Sequence, residues 1–264
     1  NLEAFGIVNK KLLSSTPNLT LIRSHWDLGP TFYFAPEKIQ RNIRLGYLDG
    51  MKALKFYDGQ AYAFAPGSAE ALWKKMIKSR EILPFWNSEQ GQVFFLNNRR
   101  ASKALFLYLR RRLINKMDIA HLSLAWAENA GELFGLDPCV TYQLDDFNKA
   151  LLAEYSQTSQ LDLPELPDLP GIDEITAVLS DTGITGFGAL RLQLSLFKDS
   201  VKTLLQKELP QKINKRSTVK YLVKVLRDNM RESKSANALA NIAALMPAEC
   251  LAALYILWLT DFNN

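Results

Sequence analysis

Three Leu-Pro pairs, Leu163-Pro164, Leu166-Pro167 and Leu169-Pro170, recur at every third residue in this chain of 264. A proline ring fixes φ and removes a backbone donor, so neither a straight α-helix nor a central strand can run through such a segment. The repeat therefore divides the chain. Polyproline II has three residues per turn, which lines the three leucines along one edge with acids between them. That edge can lie in an apolar groove of this protein or of a partner, or the segment can act as a plain spacer. The expected division is an α+β unit over 1–155, an acidic Leu-Pro linker over 156–172 and a basic helical bundle over 173–264.

Charge follows the same division. The chain carries a formal +5, but from Leu161 to Ser180 there are 5 acids and no base. Within Arg191–Lys234 there are 12 bases against 4 acids, a local +8. A basic block behind an acidic segment suggests an anionic partner, with the linker itself as one candidate and a solvated helical surface as the plain alternative. Hydrophobic residues make up 48 % and charged residues 22 %, which is enough apolar matter for a core and excludes disorder for the bulk of the chain. No apolar run reaches the roughly 18 residues of a membrane span. Cys139 and Cys250 show no CxxC or Cys/His spacing, so neither a disulfide scaffold nor a structural zinc site is expected. Scarce cysteine suits a reducing cytoplasm.

The first hundred residues hold the strand signals. Leu19–Arg23, Thr31–Phe34 and Gln92–Leu96 are short and β-branched or aromatic. In Leu54–Phe64 two alternating runs flank Asp58-Gly59, which predicts a hairpin with a two-residue type I′ turn, because both central residues need positive φ. Helices are expected over Glu37–Leu45 behind Pro36, from Ser68 as cap to about Ser79, and over Ser102–Lys116, Ile119–Phe134 and Asp145–Tyr155.

Beyond the linker the pattern is helical throughout: Asp173–Ser180, Phe187–Leu209, Ser217–Glu232, Ala236–Leu245 and Ala248–Phe262 opened by Pro247. The last is apolar on every side, as befits the centre of a bundle. The fold class expected is α+β: a small antiparallel sheet with helices in the N-terminal part and an all-helical bundle in the C-terminal part.

The segment Ser217–Glu232 offers the clearest binding pattern. Lys220, Lys224, Arg227 and Arg231 fall within about 60° of arc, beside an apolar stripe of Val219, Val223, Leu226 and Met230. One face can pack while a line of cations about 16 Å long faces out. Lys215 and Arg216 extend it. Such a line suits phosphate backbone, while the flanking Asp228 and Glu232 and the lack of interleaved aromatics argue against base reading.

A glycine-rich loop, Gly183 to Gly188, precedes the long helix, and Gly186 and Gly188 are phosphate-loop candidates because amides at a helix start can hold an anion. The triplet Gly186-Phe187-Gly188 resembles, over those few residues, the hairpin of helix-hairpin-helix DNA-binding modules, whose glycines contact phosphates. Leu169-Pro170-Gly171-Ile172 resembles it too, except that Asp173 stands where the second glycine would be.

Other clusters are less pointed. Arg110, Arg111 and Arg112, with Arg99, Arg100 and Lys103 nearby, span too wide an arc to meet one ligand. His121, Glu128 and Glu132 share a helix face, but His121 and Glu128 are about 10 Å apart along the axis, too far to hold one ion together. No metal site, cofactor motif or catalytic signature is present.

The function expected is a non-enzymatic subunit or adaptor of an intracellular multi-protein assembly. Its basic helical unit would contact nucleic acid (DNA or RNA backbone) or an acidic protein partner. Two alternatives stand beside it. One is an enzyme with a pocket in the N-terminal unit where His25 and Asp27 form an acid/base pair. The other is a module that only binds protein.

Overall fold

A computed structural model describes residues 22, 24–30, 35–78, 105, 107–109, 111–112, 119–159, 215–229 and 246–262. They form a mostly helical fold around a single two-stranded parallel ladder. The antiparallel sheet expected for the N-terminal part is not found among them. The strands expected at Thr31–Phe34 and Gln92–Leu96, and nearly all of Leu19–Arg23, lie outside the described residues, as do the helices expected over 173–209 and Ala236–Leu245, most of the linker, and Gly186 and Gly188.

Helix α1 spans Pro36–Ala53. Pro36 sets φ at the first turn and Glu37 meets the positive end of the dipole. The helix runs eight residues past the expected end at Leu45 because its inner side continues inward: Leu45, Leu48 and Asp49 are buried. Asp49 is neutralised by Lys52 at 2.9 Å, and Lys52 also donates to the Gln60 carbonyl. The helix ends in a Schellman motif. The Phe56 amide donates to the Met51 carbonyl at 2.9 Å and the Lys55 amide to that of Lys52 at 3.0 Å.

This ending displaces the expected hairpin. Leu54 to Phe56 serve as the helix cap rather than as a strand. Of the predicted pairing only Asp58 and Phe64 remain, exchanging backbone bonds of 3.0 and 2.9 Å. The loop between them is wider than two residues, with Gly59 at φ +96°. Its amides are taken by a side chain instead of a strand: Oε1 of Glu128 accepts from the N–H groups of Gln60, Ala61 and Tyr62 at 2.7, 2.9 and 3.0 Å. Strand β1, Ala63–Phe64, then pairs in parallel with β2, Thr141–Tyr142, in the register Ala63 to Thr141 and Phe64 to Tyr142. Of the aromatics that suggested a hairpin, Tyr62 and Phe64 pack edge-on into one cluster with Tyr142 and Phe147, while Phe56 is exposed.

Helix α2 is Ser68–Lys78. The Ser68 hydroxyl donates to the Ala65 carbonyl, and the first-turn amide of Ala69 is capped by the Asp58 carboxylate at 3.0 Å. Helix α3, Ile119–Phe134, ends as expected at Gly135, with φ +68°. Helix α4 is Leu144–Gln157, α5 is Lys215–Asn229 and α6 is Pro247–Leu257, continued by one π-turn over Trp258–Phe262. Every residue of α6 from Cys250 to Leu257 is buried, as its all-round apolar sequence requires. Helix α6 packs on α3 and α5, and α2 packs on the other flank of α3. Residues from both sides of the Leu-Pro segment thus share one continuous core. Polar pins cross it: Trp126 donates to the Leu251 carbonyl, Asn129 to that of Ala248, and the Tyr255 hydroxyl to Asn148. Among the described residues no helix is long and apolar enough to cross a membrane.

Candidate functional site

The cations of α5 were expected to face outward in a line. The helix does bury its apolar stripe, with Val219, Val223 and Leu226 enclosed. Lys215 and Lys224 are exposed. The cations between and beyond them are drawn onto the protein itself. Arg216 meets Glu154 at 2.9 Å and lies over the Phe134 ring. Lys220 donates to the carbonyls of Ser156 and Thr158 and sits over the Tyr155 ring. Arg227 grips Asp261 through two bonds of 2.7 Å and reaches Thr260 at 3.1 Å. Arg231 lies outside the described residues.

These contacts share a physical logic. Helices α3 and α4 both end beneath α5, and a helix end carries unpaired carbonyls and a negative partial charge. Lys220 crosses the end of α4. Arg216 crosses the end of α3 so closely that a Cβ on Gly135 would stand 2.6 Å from its Nη2. The spacing of four residues that lines up phosphate contacts also lines up helix caps. The neutralising acids, Glu154 and Asp261, come from α4 and the π-turn, far away in sequence.

His25 and Asp27 do not form an acid/base pair. Oδ1 of Asp27 accepts from the Gly29 amide at 2.8 Å within a local turn. His25 turns instead to Glu132, donating from Nε2 at 2.8 Å. Arg112 bonds the same carboxylate oxygen and also donates to the Tyr108 hydroxyl, which donates to Asn129. Burial pushes the Glu132 carboxyl up, but His25 and Arg112 outweigh it and hold the group below the usual carboxylate range. Of the three arginines in the Arg110–Arg112 run, Arg112 pairs with this acid while Arg111 is exposed.

The three polar residues expected on one face of α3 go separate ways. His121 is exposed, Glu132 joins His25, and Glu128 is buried. Burial raises the Glu128 carboxyl above its ordinary value despite the three amides it holds. Its task is to tie down the 59–62 loop. A Cβ at Gly59 would stand 2.8 Å from its Oε1 and 2.4 Å from the Tyr62 carbonyl, so this turn admits only glycine. Among the described residues no group of three His, Cys, Asp or Glu could hold a metal, and Cys139 and Cys250 are both free thiols.

One feature escaped the sequence reading. Helix α1 turns apolar side chains outward as well as inward. Ile43 is 62 % exposed and Tyr47 51 %, and just past the helix end Leu54 is 61 % and Phe56 56 % exposed. Ile39, Ile43 and Tyr47 follow one another at four-residue spacing on the side opposite Leu45 and Leu48. Gly46 and Gly50 lie alongside, and a Cβ at either would meet open space. The signal was in the sequence, since Ile39, Ile43 and Tyr47 cannot share a face with Leu45 and Leu48, but a helix ended at Leu45 hides it. Comparison with protein-family models, with curated proteins and with solved structures finds no match for this chain.

Proposed function

We propose that this chain is a non-enzymatic subunit or adaptor of an intracellular assembly, and that it meets its partner through protein surface rather than through nucleic-acid backbone. The outward apolar face of α1 carries this reading. An exposed, contiguous set of large apolar side chains on a structured helix marks an interaction site more often than an idle surface. The occupied cations of α5 support the same choice. Arg216 and Arg227 are matched by carboxylates and Lys220 by carbonyls, so the line has lost much of the charge that phosphate binding would use. Lys215 and Lys224 remain exposed, and with the net +5 they favour an acidic protein partner.

The test is a photo-crosslinking amino acid placed at position 43, activated in intact cells. A covalent adduct with a protein, whether another chain or a second copy, is the expected result. Adducts with nucleic acid, or none at all from a chain shown to be folded, overturn the reading.

A further inference from the structure

The outward face of α1 is a protein contact in the reading above, on which this inference rests, and the charges at its border say what kind of protein covers it. Apolar surface continues on both flanks of the stripe Ile39, Ile43 and Tyr47. Leu28 and Val140 are also exposed. They belong to the two turns bonded to this helix: Asn42 donates to the Leu28 carbonyl at 2.8 Å and Arg44 to the Cys139 carbonyl at 3.0 Å. Asn42 and Arg44 stand about 160° apart around the helix, so one turn lies on each side.

The border is cationic. From Pro36 to Phe56 there are 5 bases and 2 acids. Asp49 and Lys52 cancel one another inside. Near the helix start Lys38 and Arg41 outnumber Glu37, and at the other end Lys55 lies between the exposed Leu54 and Phe56. The acids of the neighbouring turns are folded back on their own backbone, Asp27 on the Gly29 amide and Asp137 on the Cys139 amide.

Arg44 is the cation set beside the stripe itself. It is exposed, but its guanidinium is held in place: Nε by the Cys139 carbonyl, Nη2 against the Thr141 hydroxyl at 3.5 Å, and the group as a whole 5.5 Å from the centre of the Tyr47 ring. No described residue takes the N–H groups of Nη1. A side chain already held loses less rotamer entropy when a ligand arrives, and arginine and tyrosine are enriched at the energetic centres of interfaces.

We propose that the outward face of α1 docks an acidic segment of a different protein, with Arg44 receiving a carboxylate of that segment while its apolar side chains cover Ile39, Ile43 and Tyr47. A fixed guanidinium fork suits a carboxylate at a fixed place. A bilayer surface offers charge without such a place, and a nucleic-acid backbone would leave the apolar stripe wet. Lys38, Arg41 and Lys55 steer the acidic partner in, and the covered stripe supplies the burial.

The experiment places p-benzoylphenylalanine at position 43 of the full chain, crosslinks it in cells and sequences the attached peptide by mass spectrometry. The expected adduct is with a different protein, through a peptide with more acids than bases. Arg44→Glu should lower its yield about tenfold, and Arg44→Lys, which keeps the charge and loses the fork, should lower it less. Because Arg44 also braces the Cys139 turn, a second reversal is needed. Lys55→Glu alters a side chain that bonds no described residue and should also lower the yield, with circular dichroism confirming that each variant is folded. A neutral or basic peptide overturns the proposal. So does a yield that both reversals leave unchanged, an adduct with a second copy of this chain, or binding of the purified chain to phosphatidylserine vesicles that Ile43→Asp abolishes. A protein adduct without acidic character leaves the adaptor reading standing, whereas no adduct from a folded chain ends both.

Discussion

Lys55 and Gly135 occupy the same position in the same helix ending. Each follows the last residue of its cap, at φ +63° and +68°. In each case the next residue's amide reaches back to a carbonyl one turn earlier, Phe56 to Met51 at 2.9 Å and Leu136 to Gly131 at 3.0 Å. The backbone solution is common and the side chains are not. Glycine enters this region without penalty, whereas a Cβ there crowds the carbonyl and costs about 1 kcal/mol.

Lys55→Gly should therefore stabilise the folded monomer by about 1 kcal/mol, less the small entropic cost of a freer unfolded chain. Urea unfolding measures this. Lower stability in Lys55→Gly would mean that its side chain supports the monomer.

Gly135→Ala should act in the opposite sense and more strongly. The added Cβ is strained by φ and would collide with the Arg216 guanidinium. The guanidinium must then shift, loosening its 2.9 Å pair with Glu154. A loss of about 2 kcal/mol is expected, read as a lower urea midpoint. A second substitution, Arg216→Ala, should then cost less in the Gly135→Ala background than in the parent.

The pH dependence of stability depends on two acids of α3 that shift in opposite directions. Glu132, held below the ordinary carboxyl value of 4.5, contributes stability that is present above that value and is lost as pH falls through its lower folded pKa. Glu128, raised by burial, works the other way and makes stability fall as pH rises past 4.5 toward its folded pKa. Glu132→Gln should cost about 2 kcal/mol at neutral pH, because it leaves Arg112 half-buried beside a neutral group. Its deficit should shrink as pH falls through the lowered folded pKa of Glu132, where the parent's acid is also protonated. Melting temperature against pH for the two proteins checks this. A deficit that stays constant down to acid pH would show that packing, not charge, carries the contribution.

What could be read from the sequence follows interaction range. The extent of α3, the glycine that stops it and the all-round burial of α6 follow from local pattern and composition, and the sequence predicts them. The 54–64 hairpin does not form because its signal was equally local while the deciding partner was not. Glu128, more than sixty residues away, captures the loop amides, and β2 captures the strand. The line of α5 cations fails as an open site for the same reason. The spacing within the helix was read correctly, but Glu154 and Asp261 arrive from elements whose proximity no period in the sequence encodes. The outward face of α1 was legible and was hidden by ending that helix at Leu45.

Arg227 and Asp261 offer a direct test of whether the α5 cations are structural. Arg227→Glu breaks a two-bonded pair and sets two carboxylates together, so a loss of about 1–2 kcal/mol is expected for this partly exposed site. Adding Asp261→Arg should recover most of it in a double-mutant cycle. If Arg227→Glu leaves stability unchanged but flattens the salt dependence of binding to a DNA duplex, the arginine serves a polyanion and the assignment of α5 as internal glue is wrong.

Gly131 and Phe147 test how tightly the aromatic cluster is packed. Gly131 lies in α3, where alanine would be the better helix former by about 1 kcal/mol. A Cβ there would stand 2.5 Å from Cζ of Phe147 and 3.1 Å from the Tyr62 ring, and both rings are fully buried. The propensity gain and the collision thus oppose each other. The ring of Phe147 is held on three sides by Tyr62, Phe64 and Tyr142, so it has little room to retreat, and overpacking of this kind costs about 1–3 kcal/mol. Gly131→Ala should therefore destabilise by about 1–2 kcal/mol net. Phe147→Leu alone should also destabilise, by removing ring contacts. In combination the shorter side chain vacates the space the new methyl needs, so the double variant should be more stable than the sum of the two losses predicts. Thermal and urea unfolding of the four proteins measure that coupling. Additive losses would show that the ring and the helix backbone do not press on each other in solution.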